Sequence, residues 1–130
     1  MPPQLPDTVV AAHDLGVLGE RLAARYLREH GYTILARNFR FGHREIDLIV
    51  TRDGLVAFVE VKSRAGTGYG HPLEAITAQK RREIERVARF WLHRHGRPAT
   101  RCRFDAVGVV VRRGQAPVIE HLPDAWRLGE

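Results

Sequence analysis

Apolar positions recur along this chain with two different periods, and the switches between them outline the fold. Between residues 14 and 31, Leu15, Leu18, Leu22 and Tyr26 fall at helical spacing, with Asp14 placed as an N-cap and Gly31 as the stop. This segment predicts a first helix. The run YTILARNF (32–39) reads as a short strand. REIDLIVT (44–51) and LVAFVEVK (55–62) read as two more, rich in Ile, Val and Phe and joined by a turn at Asp53 and Gly54. Residues 63–72, SRAGTGYGHP, hold three glycines and a proline and predict a pliable loop. Pro72 suits the first turn of a long helix over 73–95, where Leu73, Ile76, Ile84, Val87, Trp91 and Leu92 form a core-facing stripe; Gly96 and Pro98 end it. RFDAVGVVV (103–111) is a fourth strand, APVIEHL (116–122) a fifth and PDAWRLGE (123–130) a tail.

The order is helix, three strands, helix, two strands, an α/β arrangement. The hairpin requires an antiparallel pair, and the strand, long helix, strand connection favours a parallel crossover, so the five-stranded sheet is expected to be mixed. Strands apolar on both sides imply helices over both faces. At 130 residues, 44% hydrophobic and 28% charged, the chain has the balance of a soluble globular protein with one domain. We place that domain at 13–130, after a proline-rich mobile arm at 1–12. No run approaches the ~18 to 20 apolar residues that cross a bilayer, and the N-terminus lacks a signal-like segment, so a cytoplasmic protein without a membrane partner is expected. The single cysteine, Cys102, excludes an intramolecular disulfide and a thiolate cluster. His93 and His95 stand two apart on a predicted helix and point to different faces, so they suggest no zinc site.

Charge adds a partner class. A net +6 favours a polyanion, most simply nucleic acid, although scattered arginine also makes an ordinary solvated surface. Of the 21 basic residues 19 are arginine, leaving only Lys62 and Lys80. A lysine in this chain is therefore the unusual choice.

The hairpin brings chemistry into view. With a two-residue loop, Arg52 faces Leu55, Thr51 meets Val56, Ile49 meets Phe58, Asp47 meets Glu60 and Glu45 meets Lys62. Side-chain alternation then puts Glu45, Asp47, Glu60 and Lys62 on one face and Ile46, Leu48, Ala57, Val59 and Val61 on the other. Carboxylates directly opposite each other destabilise a ladder, whereas a divalent cation turns the repulsion into coordination. Glu20 lies beside the buried stripe of the first helix, where it can reach the sheet as a third oxygen ligand. Such a cluster suits metal-assisted phosphodiester hydrolysis, with Lys62 orienting water or neutralising transition-state charge. Simpler readings stay open: a Glu45–Lys62 ion pair, a solvated Glu20, or a three-residue loop that shifts the register by one.

Asp47 followed by Glu60-Val61-Lys62, on the second and third strands after an acidic helix, resembles the pattern of the PD-(D/E)xK nucleases, the restriction-endonuclease-like superfamily. More narrowly, LGERLAARYL, GYTILARNFR, REIDLIV, FVEVKSR, AITAQKRR and RFDAVGV resemble the YraN family of uncharacterised bacterial proteins, which are similar to Holliday junction resolvases. The likeness covers most of residues 14–122. It implies a restriction-endonuclease-like mixed sheet flanked by helices, with Glu20, Asp47, Glu60 and Lys62 at the catalytic positions. It implies Mg²⁺ or Mn²⁺ held at Glu20, Asp47, Glu60 and Val61, and a DNA substrate, branched in the resolvase case and cut by a homodimer. Gln79 resembles an accessory glutamine of some relatives. His43-Arg44 stands where the family usually has a glycine, which leaves the geometry around Glu45 open.

Three regions are candidates to hold DNA: Arg37, Arg40 and Arg44 interleaved with Phe39 and Phe41; Arg64 and Tyr69 on the glycine loop; and Lys80 and Arg81 on the second helix, which also fits a solvated face. Asp105, beside Arg103, reads as structural. The leading expectation is a metal-dependent DNA endonuclease. The alternatives are a non-catalytic nucleic-acid-binding module or an interaction protein in DNA repair, recombination or uptake.

Overall fold

The computed structural model describes residues 12–66, 76–97 and 100–128. Its elements are α1 (Ala12–Glu29), β1 (Thr33–Phe41), β2 (Arg44–Arg52), β3 (Leu55–Ala65), α2 (Ala78–His95), β4 (Arg101–Val111) and β5 (Val118–Trp126). The strands form one sheet in the order β1-β2-β3-β4-β5. Only β3 and β4 pair in parallel, across the connection that contains α2; the other neighbours are antiparallel. The expected mixed sheet and element order are both present.

Each helix seals one face. Leu22, Ala23, Ala24 and Leu27 of α1 pack on Leu48, Val50, Ala57, Val59 and Val61 and on Val107, Val109 and Val111. Ile84, Val87, Ala88 and Trp91 of α2 pack on Ile49, Phe58, Phe104 and Trp126 across the sheet. β3 is thus buried on both faces, which is why its sequence reads as an almost continuous apolar run. Each such Leu, Ile, Val or Phe side chain contributes about 1.5–3 kcal/mol on full burial.

Several boundaries differ from expectation. Asp14 lies inside the first turn of α1, which starts at Ala12. Gly31 does end that helix: at φ 88° it lets Tyr32 N–H reach Leu27 O at 3.0 Å and Gly31 N–H reach Arg28 O at 3.1 Å. α2 begins at Ala78 and not near 73, because Thr77 caps it, its hydroxyl accepting from Lys80 N–H at 3.1 Å. Pro72 and Leu73 lie outside the described residues, as does the arm up to residue 11. The supposed tail after Leu122 continues β5 as far as Trp126, which is 2% exposed. Pro123 is tolerated there because β5 is an edge strand and loses no ladder bond on its open side.

A candidate active site where two strands part

Asp53 and Gly54 both take positive φ, at 53° and 79°, and close the hairpin as a two-residue turn. The β2–β3 ladder then runs as expected through Thr51↔Val56 and Ile49↔Phe58 to Leu48↔Val59, where it ends. Asp47 and Glu60, and Glu45 and Lys62, are not the ladder pairs that the register extended outward would make. Two opposed carboxylates repel at that step. Asp47 instead turns its carboxylate into the gap, and Oδ2 accepts from the backbone N–H of Val61 at 2.8 Å.

The break reaches β1 as well. The β1–β2 ladder passes from Arg37↔Leu48 to Phe39↔Ile46 without pairing Asn38 to Asp47. Asn38 has φ 48°, and its amide donates to Glu20 Oε1 at 2.8 Å and Glu45 Oε1 at 3.1 Å. Ile46 joins the core under α2 while Leu48 joins the core under α1. The strict alternation that put Ile46 and Leu48 on one face is therefore broken at Asp47.

Glu60 is the buried centre of the cluster, 4% exposed. Its Oε1 lies 3.8 Å from Lys62 Nζ and 3.8 Å from Lys80 Nζ, so both lysines of the chain converge on one oxygen. Its Oε2 is buried without a hydrogen-bond partner among the described residues. Burial, then the neighbouring Asp47, pushes the Glu60 carboxyl up from 4.5 to about 8 against the pull of Lys80 and Lys62. Burial also raises Asp47 from 3.8 to about 6; the Val61 N–H bond opposes this, and Glu20 and Glu45 add to it. Near neutral pH the pair retains a proton, which a cation would displace.

Glu20 approaches from α1. A Cβ on the preceding Gly19 would stand 2.8 Å from Ser63 Cβ on β3, so the helix can lie this close only with a glycine there. Glu20 shares a recess of about 180 Å³ with Arg21, Arg37, Asn38 and Leu48. Among the described residues no three Asp, Glu, His or Cys side chains converge as a closed metal cage. Asp47, whose Oδ2 takes the Val61 N–H, and Glu60, whose Oε2 has no hydrogen-bond partner among the described residues, nevertheless bring carboxylate oxygens together with one orphaned acceptor. That suits Mg²⁺, which takes one or two carboxylates and fills its remaining positions with water and phosphate oxygens. A separate cavity of about 490 Å³, lined by Leu55, Cys102, Phe104 and Trp126, holds none of these acids or lysines.

The remaining candidates divide. Arg40 pairs with Glu45 at 3.1 Å, so the partner of Glu45 is Arg40 and not Lys62. Arg44 lines a cleft of about 150 Å³ with Gln79, Arg82, Glu83 and Arg86, a lining that includes neither Asp47 nor Glu60. Arg64 is exposed and shares a small recess with Lys62 and Glu120. Arg81 serves the fold: its Nε donates to Ile76 O at 3.2 Å and its guanidinium lies 5.7 Å from the Trp126 ring centre. Tyr69 lies outside the described residues. The sequence offers Lys80 as a DNA-contact candidate on a helix that equally fits a solvated face, and it does not single out Asn38. The signal for Lys80 was the scarcity of lysine; for Asn38 it was an amide side chain, tolerant of positive φ, among strand residues.

The profile of the Uncharacterised protein family UPF0102 matches residues 19–109. A UPF0102 protein of Rhodococcus jostii (strain RHA1) is 48% identical over 117 residues, covering 88% of this chain and 99% of the relative. One from Nocardia farcinica (strain IFM 10152) is 49% identical over 108 residues, 83% of this chain and 85% of the relative. One from Chlorobium phaeobacteroides (strain DSM 266 / SMG 266 / 2430) is 40% identical over 120 residues, 88% and 94% of the two chains. With a family profile spanning most of the fold and relatives matched over nearly their whole length, this chain belongs to the UPF0102 family, also called YraN.

Proposed function

We propose that the protein is a divalent-metal-dependent DNA endonuclease that hydrolyses phosphodiester bonds, with branched DNA as its preferred substrate. One observation carries the reading: both lysines of an arginine-rich chain meet on the buried Glu60 beside Asp47. A buried Glu60 beside the half-buried Asp47 costs stability and contributes nothing to packing, which supports a functional reading of the pair.

Asp47, Glu60 and the Val61 carbonyl would hold Mg²⁺ or Mn²⁺, together with Glu20, whose charge is felt at Asp47. The ion, when bound, polarises a phosphoryl oxygen and acidifies an attacking water. The chain does the rest. Glu60 and Asp47 give up their shared proton as the site fills. Lys62, a third exposed, holds a compact charge against the oxygens of the reacting phosphate, which a broad guanidinium does less well. Lys80, placed by the Thr77 cap, supplies a second such charge at the same Glu60 oxygen. Val61 N–H keeps Asp47 in one rotamer and so fixes the direction of its free oxygen.

A second reading, a nucleic-acid-binding or interaction module without catalysis, draws on the two Glu60 ion pairs and the lack of a closed acid cage among the described residues. Cleavage of labelled single-stranded, duplex, flap and four-way-junction DNA with Mg²⁺ or Mn²⁺ separates the two. Cleavage by wild type that disappears in Lys62→Ala and Asp47→Asn supports the nuclease. Binding with no cleavage of any substrate sinks it and leaves the module.

A further inference from the structure

Beyond the acid cluster, β1 and α2 meet in an aromatic ledge. The Phe41 ring stacks on Phe90 with centroids 4.2 Å apart and an interplanar angle of 23°. Phe41 remains 37% exposed, so its outer face is open to solvent. Arg94 lies 5.6 Å from the centre of the Phe90 ring. Toward the start of α2, Arg44, Arg82 and Arg86 line the cleft that also holds Gln79 and Glu83. Arg44 Nε is buried there without a hydrogen-bond partner among the described residues. None of these three arginines pairs with an acid among the described residues.

The helical positions 79, 82, 83, 86 and 90 fall at spacings of three and four, so they form one stripe. It runs about 16 Å along the helix axis. Lys80, on Glu60, stands at its start. One stripe therefore joins the acids to a guanidinium cleft and ends on an open aromatic face.

We propose that this stripe binds the unpaired DNA strand of a tailed or branched substrate, with a base stacked on Phe41 and the flanking phosphates on Arg44, Arg82 and Arg86. A duplex hides the faces of its bases, so an exposed aromatic ring is useful only to a strand whose bases are unstacked. Four arginines against one glutamate select a polyanion. The same charges disfavour a second copy, since a two-fold contact would bring like charges together. The direction of the strand toward the acids rests on the nuclease reading; the binding itself does not.

The test measures fluorescence anisotropy of a DNA hairpin carrying a single-stranded thymidine tail beside its blunt counterpart, in EDTA, with the full chain. Wild type is expected to prefer the tail about tenfold, the effect of one stacked base. Phe41→Leu keeps an apolar side chain and is expected to retain the thermal midpoint while losing that preference. Phe41→Trp places a reporter on the ledge whose emission the tail should quench; the native Trp91 and Trp126 are 8% and 2% exposed. Arg82→Ala with Arg86→Ala should reduce the salt dependence of tail binding by about 1.4 in log–log slope.

Equal binding of tailed and blunt DNA by wild type, a preference that survives in Phe41→Leu, or unquenched Phe41→Trp overturns the proposal. So does tighter binding of an RNA tail, or a wild-type dimer that Phe41→Leu dissociates. Tail preference without Mg²⁺-dependent cleavage leaves the ledge standing and rejects the nuclease. Cleavage without tail preference does the reverse.

Discussion

Gly19 of α1 faces Ser63 of β3 so closely that a methyl group on it would overlap the Ser63 hydroxyl and stand 2.8 Å from its Cβ. This close approach is what carries the neighbouring Glu20 to the sheet. Gly16, one turn earlier, has nothing within 4 Å of the equivalent point. The two glycines should therefore respond oppositely to alanine. Gly16→Ala should stabilise by about 0.5–1 kcal/mol, the ordinary helix-propensity gain. Gly19→Ala should destabilise by about 1–3 kcal/mol, the cost of overpacking, and Ser63→Gly should recover part of the loss. Urea unfolding of the three variants checks this; equal stabilisation by both alanines would refute the tight approach.

The raised carboxyls of Asp47 and Glu60 make stability depend on pH in a stated direction. A folded-state pKa above the unfolded value contributes stability that is full below the unfolded value and lost as pH rises through the folded one. Without divalent ions the contribution should therefore fall from about pH 4 upward, passing through about 6 for Asp47 and about 8 for Glu60. Glu60→Gln should remove most of that slope and exceed wild type at pH 8.5 by on the order of 2–4 kcal/mol. Urea melts in EDTA at pH 5 and 8.5 measure it. Adding Mg²⁺ at pH 8.5 should raise the midpoint of wild type and leave Glu60→Gln nearly unmoved. A pH-independent difference between the two proteins would mean that Glu60 is not strained.

Lys80 offers a sharper test than Lys62, because its place in the cluster comes from the fold and not from a sequence motif. On the proposed nuclease reading, Lys62→Ala and Lys80→Ala should each lower the single-turnover cleavage rate by about 10²–10³, the usual cost of one preorganised charge. Together they should cost less than the product of the two effects, since both act on one carboxylate and one phosphate. Lys80→Arg should restore the thermal midpoint better than the rate, because the guanidinium keeps the charge and changes its geometry. A Lys80→Ala variant with unaltered rate and a lowered midpoint would make Lys80 a counterion only.

The sequence was most legible where one local rule decides. Asp53-Gly54 sets the hairpin register, and the apolar stripes of α1 and α2 declare which faces the helices cover. It was least legible where side chains compete with the backbone. Nothing in the order of residues shows that Asp47 takes the N–H of Val61 or that Asn38 leaves the ladder to hold Glu20 and Glu45. Pro123-Asp124 reads as a turn, yet Asp124 at φ 54° sits at an irregularity in β5 and donates its N–H to Asp105 at 3.0 Å. Lys80 illustrates the gap: its composition signal was visible, while its partner depended on a helix start set by Thr77.

Asp105 separates loss of fold from loss of chemistry. It is 0% exposed on the α1 face of β4, across the sheet from Glu60. Its carboxylate takes Arg103 Nε at 2.7 Å and Nη2 at 2.8 Å, His121 Nε2 at 2.8 Å and Asp124 N–H at 3.0 Å. Arg103 also donates to the Tyr32 hydroxyl at 2.8 Å, tying β4 to the end of α1. Burial alone would raise the Asp105 pKa, but the bonds from His121, Arg103 and Asp124 outweigh it and hold the carboxyl below its ordinary value. A lowered folded-state pKa contributes stability that is present above the unfolded value and lost as pH falls through the folded one. Asp105→Asn leaves the half-buried Arg103 without its counter-charge and should cost about 2–3 kcal/mol at pH 7, short of the penalty for a fully buried pair. The gap to wild type should narrow below about pH 4, where the unfolded carboxyl begins to take up its proton. Urea unfolding at pH 7 and pH 3 measures both parts. On the proposed nuclease reading, the fraction of Asp105→Asn that remains folded at 15 °C and pH 7 should cleave at the wild-type rate per folded molecule. A rate lost in proportion beyond the unfolded fraction would move Asp105 from the scaffold into the active site.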